Sequence, residues 1–210
     1  MSEVIFVSGI DTDAGKTYAT GLLARNLMEE GKKVATLKFI QTGCEGSSED
    51  IEMHRKIMGI RLPEDEDATT FPVMFKYPAS AQLAARLEGR EIDLESIDRA
   101  IGKLGRNYDV VLVEGAGGLM VPLSDDFFSI DFPKSRGLPV ILVTNGVLGS
   151  INHTILSLEA LKSRGIKLHS VVYNHHFDSD PVIAEDTRGF IRRYVNKNWP
   201  GVPIIDLPSI

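Results

Sequence analysis

A single cysteine, Cys44, stands among 210 residues, so the chain cannot close an intramolecular disulfide or build a multi-cysteine metal site. A reducing compartment is expected. No apolar run approaches the ~18 residues of a membrane span, and no basic leader with a cleavage site precedes the first apolar run at Val4. The expectation is a cytoplasmic protein that does not enter a membrane. Clustered positive charge is also missing. The 23 Lys and Arg are scattered and outnumbered by 29 Asp and Glu, for a formal charge of -6, which disfavours a nucleic-acid or anionic-lipid partner. Repeats, low-complexity tracts and any clear linker are lacking. With 43% hydrophobic residues the chain supplies one sizeable core and not two, so a single domain over residues 1–210 is expected.

What is present is concentrated near the start. The segment Gly9-Ile10-Asp11-Thr12-Asp13-Ala14-Gly15-Lys16-Thr17 lies between the apolar run Val4 to Val7 and a helix-like stretch through Leu22, Leu23 and Leu27. A strand running into a glycine-bearing turn and then a helix aims backbone N–H groups and the positive helix end at one point, a site for polyphosphate. The loop departs from the G-x-x-x-x-G-K-[ST] spacing, because Gly9 comes one residue early and Ile10 takes the first glycine's place. The Gly15-Lys16-Thr17 end matches: a residue without Cβ lets backbone close on phosphate, an ammonium bridges terminal phosphates, and a hydroxyl binds magnesium.

Strand-like runs recur at Val4 to Ser8, Val34 to Lys38, Val110 to Val113, Val140 to Thr144 and Ser170 to Tyr173. Most are continuously apolar, as in a parallel sheet buried on both faces. Helical periodicity lies between them, clearest from Leu94 to Leu104 after the cap candidate Asp93, and glycines 31, 137 and 165 close helices just before strands. The pattern predicts an α/β fold of P-loop NTPase type, a mainly parallel central sheet flanked by helices on both faces. The proline-punctuated stretch from Thr69 to Pro78 reads as a long ordered loop.

Ligands of such sheets gather at the carboxyl ends of the strands. There the sequence offers Lys38, Gln41, Thr42 and Gly43; then Glu114 to Gly118; then Asn145-Gly146 leading to Gly149-Ser150-Ile151-Asn152. The glycines are equally well explained by turn geometry. Glu114 directly follows an apolar run, where a phosphate-binding fold needs a carboxylate for magnesium. Asp50 is a second candidate ligand, or else a cap for a helix over Ile51 to Met58, for which Ser48 is better placed. The five histidines, His54 among them, lack metal-ligand spacing, so solvated or core-edge roles are expected.

These motifs, with Lys38 ending the second run, Val113-Glu114-Gly115-Ala116-Gly117-Gly118 and Gly149-Ser150-Ile151-Asn152-His153, resemble dethiobiotin synthetase in order and spacing over nearly the whole chain. The resemblance implies an ATP- and magnesium-dependent ligase of biotin synthesis acting on 7,8-diaminononanoate and CO2. It implies catalytic roles for Lys16, Lys38, Thr12 and Thr42, with Asp13, Ala14, Gly15, Lys16, Thr17 and Tyr18 around the nucleotide phosphates. Thr17, Asp50 and Glu114 would hold magnesium. Asn174 and Pro208 would contact the base. Thr12, Lys38, Thr42, Gly117, Gly118 and the segment Gly149, Ser150, Ile151 and Asn152 would meet the substrate, the last from the partner of a homodimer. Two positions depart from the family pattern: Phe39 replaces the usual proline after Lys38, and Asp13 is a shorter acid.

Two other classes share the phosphate loop. A cobyrinate-type amidotransferase would need a glutaminase domain with a nucleophilic Cys and its His, and the lone Cys44 lies in the loop after Lys38. A ParA/MinD-type ATPase switch would show a second lysine near the loop's first glycines, where Ile10, Asp11 and Thr12 stand. A GTPase is disfavoured because Asn196-Lys197-Asn198-Trp199 lacks the acid of a guanine reader.

Overall fold

The computed structural model describes residues 2–208. Among them eight strands and seven helices follow one another as β1 (Glu3–Gly9), α1 (Lys16–Glu29), β2 (Val34–Lys38), β3 (Gln41–Thr42), α2 (Glu49–Met58), β4 (Met74–Phe75), α3 (Ala81–Leu87), α4 (Leu94–Leu104), β5 (Val110–Gly118), α5 (Asp131–Arg136), β6 (Val140–Asn145), α6 (Ser150–Ser163), β7 (Leu168–Asn174), α7 (Pro181–Asn198) and β8 (Ile204–Leu207). Six strands form one sheet in the order β2-β5-β1-β6-β7-β8, every pairing parallel. The pattern expected from the apolar runs is present.

Both faces of that sheet are buried, which is why its strands lack polar alternation. Successive residues of β1 point to opposite sides. Phe6 joins a core with Leu37, Phe39, Val113, Phe132 and Ile97, whereas Ile5 and Val7 join Ala19, Leu22, Leu23, Leu112 and Val143 beneath α1. On the first face Phe39 lies 5.4 Å from Phe6 and 4.6 Å from Phe132, ring centroid to centroid. Burying each such ring contributes about 1.5–3 kcal/mol.

Local chemistry sets the helix ends. Asp93 caps α4 by accepting from Ser96 N–H, and Ile97, Ala100 and Leu104 form its buried stripe. Asp180 caps α7, with Pro181 opening the helix. Ser48 caps α2 by accepting from Ile51 N–H, so Asp50 is not spent as a cap. One expectation is corrected and one open alternative is decided. The Thr69–Pro78 stretch contains β4, whose backbone pairs with β3, because Thr70, Phe71, Val73 and Phe75 are buried and their backbone groups need partners. The run Gly115–Gly118 is no turn but the continuation of β5, in which Gly9 pairs with Gly118 across an irregularity in the ladder. At Gly115 a Cβ would meet the Phe6 ring at 3.0 Å, so the strand continues there only without a side chain.

Candidate active site

The phosphate loop occupies residues 10–15, between β1 and α1. Gly15 takes φ +88°, and a Cβ there would lie 2.0 Å from Nδ2 of Asn174; only glycine fits, sterically and conformationally. Lys16 follows as the first helical residue. Its Nζ donates to the carbonyls of Asp11 (2.9 Å) and Thr12 (2.8 Å), which folds the loop over the ammonium. Burial, helped by the nearby charge of Lys38, lowers the Lys16 pKa to about 8. Thr12 and Asp13 are exposed, Ala14 is buried, and Tyr18 is half-buried on the first turn of α1.

Four elements converge beside Thr17. Its Oγ1 lies 2.7 Å from Oδ1 of Asp50 on α2 and 2.9 Å from Oε1 of Glu114 on β5. Lys38, at the end of β2, reaches the same two carboxylates, 2.6 Å from Asp50 and 2.8 Å from Glu114. Burial opposes charge on Lys38, but Glu114 and Asp50 outweigh it and raise the Lys38 pKa above its ordinary value. Burial likewise works against the Glu114 anion, and Lys38 with His54 overcomes it, holding that carboxyl well below the usual range. A hydroxyl has one proton, so Thr17 can donate to only one of its two carboxylate partners. The remaining close oxygen pair suits a small hard cation, and a hydroxyl with two carboxylates is a set of hard oxygen donors of the kind that could hold magnesium. Among the described residues no group of three or more His, Cys, Asp or Glu is arranged to hold a metal ion, so a cation here would rest on two carboxylates and the Thr17 hydroxyl.

His54 is the residue whose role the sequence did not disclose. Expected to be solvated or at the core edge, it is instead fully buried, with Nε2 2.6 Å from Oε2 of Glu114 and Nδ1 2.9 Å from the Thr36 hydroxyl. The available signal was its spacing: four residues after Asp50, it shares a helix face with that acid.

Phe39 also has a structural account. Its N–H donates to the carbonyl of Glu114 at 2.8 Å, extending the β2–β5 ladder one residue beyond Lys38, which proline could not do.

Of the expected substrate residues, Thr12 and Gly118 line a neighbouring groove. Gly117 has φ +68°, and a Cβ built on it would lie 3.8 Å from the Thr12 hydroxyl. A cavity of about 410 Å³ adjoins them, bounded by Ile10, Thr12, Gly118, Met120, His153 and Leu156. Thr42 is half-exposed on β3. At α6, Gly149 takes φ +100°, the Ser150 hydroxyl is turned inward to Asn145, and Asn152 is exposed. The imidazole of His153 lies 3.7 Å from the Asp11 carboxylate, which links this helix start to the phosphate loop. A further cavity, about 600 Å³ along Ser48, Ile51, Arg55 and Arg61, includes none of the phosphate-loop residues.

Asn174 ends β7, buried over the loop. Its Nδ2 approaches the Ala14 carbonyl at 3.4 Å and its Oδ1 accepts from His176 N–H. That leaves its second amide hydrogen uncommitted. Pro208 is exposed just beyond β8. Cys44 is a half-exposed free thiol.

Residues 3–204 match the family described as an AAA domain. The chain is 48% identical over 213 residues to "ATP-dependent dethiobiotin synthetase BioD 2" of Pasteurella multocida, covering 100% of both chains. It is 50% identical over 207 residues to "ATP-dependent dethiobiotin synthetase BioD" of Chlorobaculum tepidum, covering 98% of this chain and 87% of that one. Among solved structures, cobyrinic acid a,c-diamide synthase of Mycobacterium smegmatis with bound ADP and magnesium superposes at a TM-score of 0.55 and 19% identity, over 100% of this chain and 86% of the other. The MinC:MinD cell division protein complex of Aquifex aeolicus gives 0.57 and 19%, over 100% and 82%. These two likenesses establish the fold.

Proposed function

The chain belongs to the family of ATP-dependent dethiobiotin synthetases, and on that premise we propose how its residues perform the ring closure of 7,8-diaminononanoate with CO2. The reaction needs three events. One amine takes up CO2 and loses a proton to give a carbamate. A carbamate oxygen attacks the γ-phosphorus of ATP and ADP leaves, forming a carbamic–phosphoric anhydride. The second amine then attacks the carbamoyl carbon, expelling phosphate and losing a proton, and the cyclic urea results.

The observation that carries the assignment to residues is the convergence of Thr17, Lys38, Asp50 and Glu114 within hydrogen-bonding distances, with Thr17 directly after Lys16 of the phosphate loop. Lys16 and the N–H groups of Gly15 to Thr17 hold the polyphosphate at the start of α1. Lys38, held by Asp50 and Glu114 and 3.4 Å from the Gly115 carbonyl, is suited to offset charge on the carbamate and on the transferring phosphoryl group. Thr12 and Thr42 supply hydroxyls to the carbamate side. Thr17, Asp50 and Glu114 would hold magnesium, which, when bound, neutralises the polyphosphate oxygens. Asn174 and Pro208 border the base.

The remaining part of the substrate is an alkyl chain ending in a carboxylate. The groove lined by Ile10, Met120 and Leu156 suits the alkyl chain. The open N–H groups at the start of α6 suit a carboxylate, and we assign that role to Gly149–Asn152 of a partner copy in a symmetric homodimer. Val147 and Leu148, 47% and 84% exposed just before that helix, and Met120 and Leu156 at the groove support a self-association face. No helix among the described residues is long and apolar enough to cross a membrane; we assign the protein to the cytoplasm. The test is incubation with ATP, magnesium, bicarbonate and 7,8-diaminononanoate, followed by mass spectrometry. A cyclic urea with stoichiometric ADP is expected, and ADP release without that product would refute the assignment.

A further inference from the structure

Glu114 is a fully buried carboxylate whose two oxygens are used differently. Oε1 faces the cluster, 2.9 Å from Thr17 Oγ1 and 2.8 Å from Lys38 Nζ; Oε2 faces away, 2.6 Å from Nε2 of His54. His54 is itself held from behind. Its Nδ1 meets the Thr36 hydroxyl at 2.9 Å, which accepts from Nη1 of Arg55 at 2.8 Å, and Arg55 is locked by two hydrogen bonds of 2.8 Å to Asp65. Because Arg55 donates to Thr36, the threonine's own proton is free to go to Nδ1, which leaves Nε2–H directed at the carboxylate. A line of fixed side chains thus runs from the outer edge of α2, through β2, to the rear oxygen of Glu114.

We propose that His54 is a positioning residue for the metal site: by occupying Oε2 it fixes the Glu114 carboxylate and presents a single oxygen, Oε1, toward Thr17 and Asp50. Two physical arguments carry this. A buried anionic oxygen with no donor is costly, so without His54 the carboxylate would rotate to share Lys38 between both oxygens or draw water in. With Oε2 taken, the group offers one oxygen, the mode that magnesium's small octahedral shell accepts; two oxygens from one carboxylate suit calcium's larger shell. Hydrogen bonds to ligating carboxylates commonly alter metal affinity by about 10–100-fold when removed. The inference rests on reading Thr17, Asp50 and Glu114 as the metal ligands, and its test separates the two.

ADP binding is measured by calorimetry at stepped magnesium concentrations, without turnover. In His54→Leu the magnesium concentration at half-effect should rise about tenfold or more, while ADP affinity without magnesium stays within about twofold of the parent, since ADP phosphates are held by the loop. His54→Gln, which can return an N–H to Oε2, should recover most of the shift. An unchanged magnesium midpoint in folded His54→Leu overturns the proposal, as does an equal loss of ADP affinity with and without magnesium, the sign of a merely structural role. Should His54→Leu not fold, Thr36→Val, which releases the ring from behind, decides by the same measurement: a raised midpoint supports the proposal and an unchanged one overturns it. Glu114→Gln is the control for the ligand reading. If it leaves the midpoint unmoved, that reading fails and the role of His54 falls with it; if it moves the midpoint and His54→Leu does not, only the positioning role fails.

Discussion

Lys38 and Glu114 are paired twice: their backbones stand opposite one another in the β2–β5 ladder, and their side chains meet at 2.8 Å on the same side of the sheet. The first prediction follows from their shared burial. Lys38→Met should lower stability by about 3–5 kcal/mol, because it strands a buried carboxylate, and should abolish product formation. Adding Glu114→Gln should restore most of the stability and none of the activity. Denaturant melts of the two single variants and the double variant check this; additive losses would show that the pair is not coupled.

Lys16→Ala is expected to leave the fold intact, since Nζ bonds only to two carbonyls of its own loop. Turnover should fall at least about a hundredfold, as for loss of one charge contact to the transition state. Steady-state rates of the folded variant decide it, and near-normal turnover would contradict its phosphate role.

Gly15→Ala combines two penalties, a positive φ and a Cβ 2.0 Å from Nδ2 of Asn174. The loop has to open to admit the methyl group. Nucleotide affinity should drop by more than tenfold, in contrast to Gly31→Ala, also at positive φ but with nothing within 4 Å of its Cβ, where only the backbone strain of about 1–2 kcal/mol is felt. Parallel ADP titrations of the two variants make the comparison.

Acid should expose the Asp65–Arg55 pair. Burial tends to raise the Asp65 pKa, but the hydrogen bonds and charge of Arg55 prevail and hold it below its ordinary 3.8. A carboxyl depressed on folding gives stability that is complete above its unfolded pKa and fades as pH falls through the folded value. The parent should therefore lose stability steeply below about pH 4. Asp65→Asn should already be weaker at pH 7, on the order of 2 kcal/mol for a lost charge-assisted bond, and flatter in acid. Thermal melts between pH 3 and 7 test the sign.

The proposed sharing of active sites between two copies makes a prediction of its own. Mixing Lys16→Ala with Asn152→Ala should restore part of the activity, because some heterodimers hold one site with both residues intact. Leu148→Glu, at a position 84% exposed, should lower the dimer fraction seen by sedimentation and reduce turnover with it. A parent protein that sediments as a monomer at assay concentration would remove the basis for both.

The order of apolar runs and the Gly15-Lys16-Thr17 end were legible because each depends on local periodicity and on one turn. So were Ser48 as a cap and Glu114 as a carboxylate at the site. What remained hidden depends on contacts across the chain. Whether Gly115–Gly118 continues a strand is decided by Phe6 and Gly9, more than a hundred positions away, and not by any turn propensity of glycine. His54 reads as an ordinary polar residue of a helix until β5 brings Glu114 against it. The β3–β4 pairing escaped notice because two residues are too few to show an alternation.

The order β2-β5-β1-β6 has a consequence for how the protein comes into being. Among the six strands of this sheet, the first to be synthesised is an inner one, and its two neighbours begin only at Val110 and Val140. Until both have been made, the phosphate loop hangs from a strand with unpaired edges and an apolar face with nothing to cover it, a state prone to aggregate. The nascent chain can form α1, α2 and α4 locally, yet its earliest motif is among the last places to become a site. Loop closures of this length slow folding, so the interval of exposure is set by the topology of the sheet, and an early stop in translation leaves the nucleotide-binding sequence without a nucleotide-binding structure.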